Sequence, residues 1–272
     1  MNLPLSDLHM HTAYCDGKAS AEQMVLAAIA KGYHTVGLSG HSYTPHDTRY
    51  CMTEQDAYFA ECRRLNEKYA DRISVQIGVE LDALGGTRPA EADYIIGSVH
   101  YFSVGGKHYD VDGGIDAQQT ALTEGYGGDL HRLIDGYFSA LVEMAERVRP
   151  DIVGHFDLLT KFSESDGRLI DPRDGYYRGA ALDALRAILK VAPRLEVNTG
   201  AIARGYRTEA YPSDELICAA LAEGGRLILT SDAHTPQNVG FAFDAAAARL
   251  LRLGCDTVDV RRADRFEQMC LL

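Results

Sequence analysis

Histidines and carboxylates recur in this chain at spacings that suit metal coordination. Asp7, His9 and His11 form D-x-H-x-H, and residues two apart share one face of an extended chain. Asp232 and His234 repeat that spacing in TSDAH. Between them, His41 lies in GLSGHS, Glu80 in GVELD, His100 in GSVHY and His155 in IVGHFD. Neutral imidazole and carboxylate are the usual ligands of Zn²⁺, Mn²⁺ and Fe²⁺. A single histidine at a strand end is an ordinary polar residue. It is the joint recurrence of the paired patterns, with only 10 histidines in 272 residues, that points to a metal centre.

These residues follow apolar or β-branched runs that alternate with helical patterns. Strands are expected at Leu5–His9, Thr35–Ser39, Ser74–Glu80, Tyr94–Val99, Asp151–Gly154, Leu195–Asn198 and Leu227–Ser231, with a further short one at Asp256–Val260. Helices are expected at Ser20–Lys31 with Ser20 as cap, and at about Thr53–Tyr69 with Thr53 as a cap. Four more are read at Asp129–Arg149, Tyr176–Val191, Pro212–Glu223 and Pro236–Leu253. The glycine-rich stretch Ser103–Gly128 breaks the pattern and reads as a long, partly mobile insertion. No linker divides the chain, so residues 1–272 are read as one α/β domain with a mainly parallel sheet. Seven such units favour a closed (β/α) barrel over an open doubly wound sheet. In a parallel barrel the C-terminal ends of the strands face one mouth, which is where six of the seven strands deliver a histidine or carboxylate.

Composition narrows the partners. With 27 Lys+Arg against 39 Asp+Glu, the formal charge is −12, which argues against nucleic acid or an anionic membrane surface. None of the six cysteines lies at C-x-x-C spacing, and reduced thiols in the cytoplasm are the simplest reading. The opening MNLPLSDLHMHT lacks a basic stretch followed by an apolar run, so no signal peptide is read. His34 precedes its strand and should face away from the mouth, and His131 falls in a first helical turn with a surface role. His46 and His108 lie near enough in sequence to reach the mouth.

DLHMHT, GLSGHS, GVELD, SVHY, VGHFD and TSDAH, in this order from Asp7 to about Gly254, resemble the polymerase and histidinol phosphatase (PHP) superfamily. The resemblance implies a distorted seven-stranded (β/α) barrel with two to three divalent metals at the C-terminal mouth. By motif, His9, His11, Glu80 and Asp232 would hold one metal, and Glu80 would bridge to a second held by His100 and His155. Asp16, His41 and His234 would hold the third. Asp16 enters only through the resemblance; by spacing alone it is a turn aspartate before Gly17. The phrases VGHFDLLTKF, EVNTG and YPS look like histidinol-phosphate phosphatases, although Gly40 stands where an acidic residue is usual. Another phosphoesterase of the superfamily, acting on sugar phosphates, nucleotides or phosphotyrosine, is the alternative; a metal-binding regulatory or nucleic-acid-processing module is a further one.

The expected reaction is hydrolysis of L-histidinol phosphate in L-histidine biosynthesis, with a metal-bridging hydroxide held by the Glu80, Asp232 and His234 set. No phosphate-loop pattern surrounds Cys15, so no cysteine nucleophile is read. Lys161 and Arg204 follow strands and could clamp phosphate oxygens at the mouth, with Arg207 as a substitute for Arg204. Asp7 is expected to orient His9 or His11. Glu196 and Asn198 share a strand face and could approach the substrate amine, the cluster, or neither. Three divalent ions would take the net charge from −12 to about −6, with the positive charge gathered at one mouth.

Overall fold

The alternation of apolar runs and helical patterns builds a curled parallel sheet wrapped by helices. A computed structural model describes all 272 residues. It opens with β1 (Ser6–Asp7), α1 (Ala21–Ala30), β2 (Thr35–Leu38), α2 (Gln55–Lys68), β3 (Ser74–Asp82) and β4 (Tyr94–Ser98). Next come β5 (Tyr101–Val104), β6 (Lys107–Asp110), α3 (Ile115–Thr120), α4 (Leu130–Val148), β7 (Ile152–Val153) and α5 (Gly175–Leu189). The chain ends with β8 (Arg194–Asn198), α6 (Gly200–Ala203), α7 (Asp214–Ala222), β9 (Arg226–Thr230), α8 (Phe243–Arg252), β10 (Thr257–Arg262) and β11 (Arg265–Cys270). No helix is long and apolar enough to cross a membrane.

The main sheet runs β1-β2-β3-β4-β7-β8-β9-β10-β11. Its first seven strands are the seven expected ones, all parallel. The sheet curls until the end of β1 meets the end of β9 through a single parallel bridge, Met10 to Ala233. His11 N donates to Ala233 O at 2.9 Å and Ala233 N to His9 O at 3.1 Å, so closure occurs at the end that carries the histidines. Inside the curl, Leu8, Tyr94, Ile96, Ile152 and Ile228 form a small core of their own. A Cβ at Gly37 or Gly78 would collide with the Tyr94 ring or hydroxyl, so glycine on two adjacent strands makes room for it.

The nine-stranded sheet exceeds the seven barrel strands because β10 extends the short strand expected at Asp256–Val260 and β11 returns antiparallel to it. This hairpin seats Phe266 against the inner core and under the Arg194 guanidinium, 3.7 Å from the ring centroid. Arg194 Nε also donates to Asp259 Oδ2 at 2.7 Å. The end opposite the histidines is therefore plugged.

Three local expectations need correction. Thr53 does not cap α2; the helix begins after Glu54 with no side-chain cap. Pro236–Leu253 is not one helix, because Gly240 (φ 63°) and Ala242 (φ 55°) turn left-handed between a 3₁₀ turn at Pro236–Asn238 and α8. The Ser103–Gly128 segment is largely structured. Gly105 and Gly106, both with positive φ, form the two-residue turn of the β5–β6 hairpin, whose register pairs Val104 with Lys107. Its Phe102, Tyr109 and Val111 are buried in the main core. By contrast, α1 starts as expected: Ser20 and Gln23 cap each other's backbone N–H groups in a capping box.

Candidate metal centre

The curl brings the strand ends together around Glu80, which lies two residues before the end of β3 with its carboxylate buried. His9 and His11 lie just beyond β1, on one face, while Met10 between them points into the hydrophobic core. His100 follows β4, His155 follows β7, and Asp232 and His234 follow β9. Asp232 sits in the left-handed region at φ 49°, a conformation aspartate tolerates better than most residues. His41 pairs its backbone with Glu80 in an isolated parallel bridge.

The distances resolve into three groups. His9 Nε2 and His11 Nε2 stand 3.2 and 3.5 Å from Glu80 Oε2, and His11 Nε2 is 3.2 Å from Asp232 Oδ1. His155 Nε2 and His100 Nε2 stand 3.0 and 3.4 Å from Glu80 Oε1. His234 Nε2 is 3.1 Å from Asp16 Oδ2, and His41 Nε2 is 3.7 Å from Asp16 Oδ1. Three contacts join the groups: His41 Nδ1 to Glu80 Oε2 at 3.0 Å, His11 Nδ1 to Asp16 Oδ1 at 3.5 Å, and His234 Nδ1 to Asp232 Oδ1 at 3.6 Å. All nine residues singled out as metal ligands thus meet in one cluster.

The donor set fits divalent ions. His9 Nε2, His11 Nε2, His41 Nδ1 and Glu80 Oε2 are buried and none has a hydrogen-bond partner, although the three nitrogens lie within 3.5 Å of that oxygen. Unpaired buried polar atoms are costly. Around a tetrahedral ion bound at 2.0–2.1 Å, ligand atoms are about 3.3 Å apart, which is the spacing found here. Six imidazoles with three carboxylates suit Zn, Mn or Fe.

The electrostatics of the metal-free cluster divide its imidazoles. Burial, followed by the neighbouring His234 and His41, lowers His11 to about 3, which keeps its imidazole neutral. Burial opposes charge on His9 too, but Glu196, Glu80 and Asp232 raise it well above the ordinary histidine value. His100 is raised in the same way by Glu80 and Asp82. Burial works against ionisation of Glu80, yet His9, His41 and His100 hold its carboxyl well below the usual range.

A row of acceptors stands behind the cluster. Glu196, wholly buried on β8, accepts from His9 Nδ1 at 2.8 Å, and Asp82 Oδ2 lies 3.2 Å from His100 Nδ1. Glu196 therefore takes the orienting role expected of Asp7. The Asp7 carboxylate instead binds Ser231 and the Gly240 N–H, meeting only the backbone N–H of His9. Asp82 went unnoticed in the sequence; its place two residues after Glu80 on the same strand face is the signal that could have found it.

Above the cluster opens a cavity of about 590 Å³, lined by all of the nine except the fully buried His9 and His11, and by Lys161, Arg204, Asp110, Asp112, Tyr101 and Tyr206, among others. Arg204 Nη2 donates to Asp232 Oδ2 at 2.9 Å, which holds its guanidinium beside the cluster. Lys161 reaches the cavity but is paired with Asp112, Nζ to Oδ2 at 3.1 Å. Arg207 does not line the cavity; it donates to Thr160 Oγ1 at 2.7 Å and packs over Tyr211. The His46 and His108 rings meet at a tilt, centroids 4.4 Å apart, beside Tyr101 and outside the cluster, and His34 and His131 are exposed elsewhere. An acidic residue at Gly40 would require the Met52 side chain to shift, since its Cβ would lie 2.9 Å from Met52 Sδ and 3.2 Å from Cys15 Sγ.

Comparison with known proteins gives the same picture. Residues 7–200 match the PHP domain. The chain is 33% identical to a probable histidinol-phosphatase of Deinococcus radiodurans, across 94% of this chain and 96% of that one. It is 23% identical to the histidinol-phosphatase of Bacillus subtilis, across 89% and 98%. A crystal structure of histidinol phosphate phosphatase from Lactococcus lactis, in complex with zinc, L-histidinol and phosphate, shares the fold with a TM-score of 0.73. Its identity is 19%, over 98% of this chain and 100% of that chain. By the extent of the match and by the barrel itself, this chain belongs to the PHP domain family.

Proposed function

We propose that this chain is a metal-dependent phosphomonoester hydrolase that converts L-histidinol phosphate and water into L-histidinol and phosphate, a step of L-histidine biosynthesis. The observation that carries this reading is the convergence of unpartnered nitrogens from His9, His11 and His41 on Glu80 Oε2. They meet beneath a cavity sized for a small ligand. Relatives matched over nearly their whole length, and bearing histidinol-phosphatase names, support the substrate.

Two to three divalent ions, Zn, Mn or Fe, are assigned to the cluster. His9, His11, Glu80 and Asp232 would hold one; Glu80, His100 and His155 a second; Asp16, His41 and His234 a third. When bound, such ions neutralise phosphoryl charge and lower the pKa of a water molecule to ~7. The chain's own residues position the rest. Glu196 keeps the His9 proton on Nδ1, leaving Nε2 free toward Glu80. Asp232 Oδ2 and the Asp232 carbonyl orient the Arg204 guanidinium, whose remaining N–H groups can donate to phosphoryl oxygens. Arg204 and Lys161 are the phosphate-binding residues in this reading; Lys161 gives two of its N–H groups to Asp112 and has a third for a phosphoryl oxygen. The substrate is a small phosphorylated molecule. Six unpaired cysteines accord with a cytoplasmic site of action.

The test is phosphate release by the purified protein from L-histidinol phosphate, sugar phosphates, nucleotides and phosphotyrosine. L-Histidinol phosphate should lead in kcat/KM by roughly 100-fold. A comparable lead for any other substrate would overturn the substrate while leaving the family and the cluster standing.

A further inference from the structure

Arg204 and Lys161 stand on two different segments, and each segment is rigid on its own. Lys161 follows the 3₁₀ turn Leu158–Thr160 beyond β7, where Lys161 N donates to Leu158 O at 2.8 Å and Thr160 Oγ1 to Asp157 O at 2.7 Å. Arg204 ends α6 in a Schellman motif: Gly205 turns left-handed at φ 75°, its N–H donates to Ile202 O, and Tyr206 N donates to Ala201 O. Side chains must set the distance between the segments, because no backbone-to-backbone hydrogen bond joins residues 155–165 to residues 199–213.

Arg207 supplies the buried link. It lies three residues past Arg204, and its Nη1 donates at 2.7 Å to the hydroxyl of Thr160, the residue before Lys161. The same Nη1 is 3.9 Å from Asp157 Oδ2, which accepts from Ser213 N at 3.1 Å. The guanidinium also lies over Tyr211, 4.5 Å from the ring centroid. The other contacts between the segments are nearer the surface: exposed Tyr206 meets Phe162 edge-on, and exposed Thr208 donates to exposed Glu164.

Arg207 does not line the cavity, so it touches nothing that binds there. Its Nε is buried without a partner, and its nearest carboxylate oxygen is 3.9 Å away. A buried cation met so incompletely adds little stability. What it contributes is geometry.

We propose that Arg207 is a positioning residue that fixes the span between Arg204 and Lys161 by holding the segment after β8 against the segment after β7. This rests on the function proposed above, in which those two cations meet the phosphoryl oxygens. Two cations grip a phosphate well only when their spacing matches its oxygens, so a loosened span weakens phosphate binding before it affects the metal cluster.

The test measures inorganic phosphate binding by calorimetry on metal-loaded wild type, R207A, T160V and T160S. Thermal melting and metal content check that each protein is folded and loaded. R207A should bind phosphate about tenfold more weakly, with added guanidinium restoring most of the loss. T160V, which removes the acceptor and keeps Arg207, should lose about three- to fivefold. T160S, which keeps the hydroxyl, should stay within about twofold of wild type. On L-histidinol phosphate the same losses should appear in KM, with kcat changed less. R207A and T160V that both bind phosphate within about twofold of wild type would overturn the proposal. So would a loss in R207A that guanidinium does not restore and T160V does not share. If R207A fails to fold, the comparison of T160V with T160S decides alone. Phosphate binding needs no turnover, so a wild-type protein inactive on L-histidinol phosphate would overturn the substrate while these affinities still decide the role of Arg207.

Discussion

Replacing Glu196 by glutamine tests the metal centre through a residue that lies behind it. The Glu196 carboxylate accepts four hydrogen bonds and makes no other polar contact. Oε2 receives His9 Nδ1 and Thr230 Oγ1, each at 2.8 Å. Oε1 receives Asn198 Nδ2 at 2.8 Å and the His155 backbone N–H at 2.5 Å. Glutamine must turn an amide NH₂ toward one of these pairs. Toward Asn198 and His155 it would set donors against donors, each unmet group costing about 1–3 kcal/mol. Toward Thr230 and His9 the clash is relieved, because the threonine hydroxyl can rotate to accept and His9 can move its proton. The second arrangement should prevail, and it places the His9 proton on Nε2, the atom 3.2 Å from Glu80 Oε2. His9 then leaves the ligand set. Metal affinity should fall about 10–100-fold, equivalent to about 1.4–2.7 kcal/mol, with turnover falling alongside. Competition with a chromogenic chelator gives the affinity, and ¹⁵N NMR of the histidine ring locates the proton. An E196Q protein that binds metal within about twofold of wild type, with His9 still protonated at Nδ1, would refute the reasoning.

Other perturbations separate the roles of neighbouring groups. Stripping the metals with chelator should abolish phosphate release and lower the melting temperature, both restored by zinc or manganese; a stripped protein with full activity would contradict the mechanism. Arg204→Ala should raise KM for phosphorylated substrates about tenfold or more, by loss of a charge-assisted contact, whereas His34→Ala, at an exposed position far from the mouth, should leave kinetics within about twofold. Neighbouring carboxylates raise His9 and His100, so near neutral pH the metal-free chain carries protons that an ion must displace. Metal affinity should therefore rise with pH, and calorimetry in two buffers of different ionisation enthalpy should show net proton release; heat independent of buffer would contradict this.

The ligand set was legible because its residue types are scarce and their places are set by the alternation of strand and helix. Each histidine named for the cluster follows an apolar run, and a parallel curl can only bring such ends to one mouth. Asp16 could not be found this way, since it lies in a turn nine residues beyond β1 and joins the cluster by tertiary contact with His234. The β10–β11 hairpin was only half visible. Its two-residue turn places Ala263, not glycine or asparagine, in the left-handed region at φ 51°, so the usual hairpin signal is missing. The opposite error occurred at Gly105–Gly106, where glycines read as mobility form a tight turn. Glu196 and Asn198 could be placed on one face by their spacing. That the face looks onto His9 depends on the curl, which spacing does not encode.

The central claim is that Glu80 stands between metal ions. Anomalous diffraction from crystals of the zinc-loaded protein tests it most directly. Zinc peaks are expected at about 2.0–2.2 Å from both Glu80 oxygens, shared with His9 and His11 on one side and His100 and His155 on the other. Fully active protein whose crystals show no metal within reach of Glu80 would contradict it.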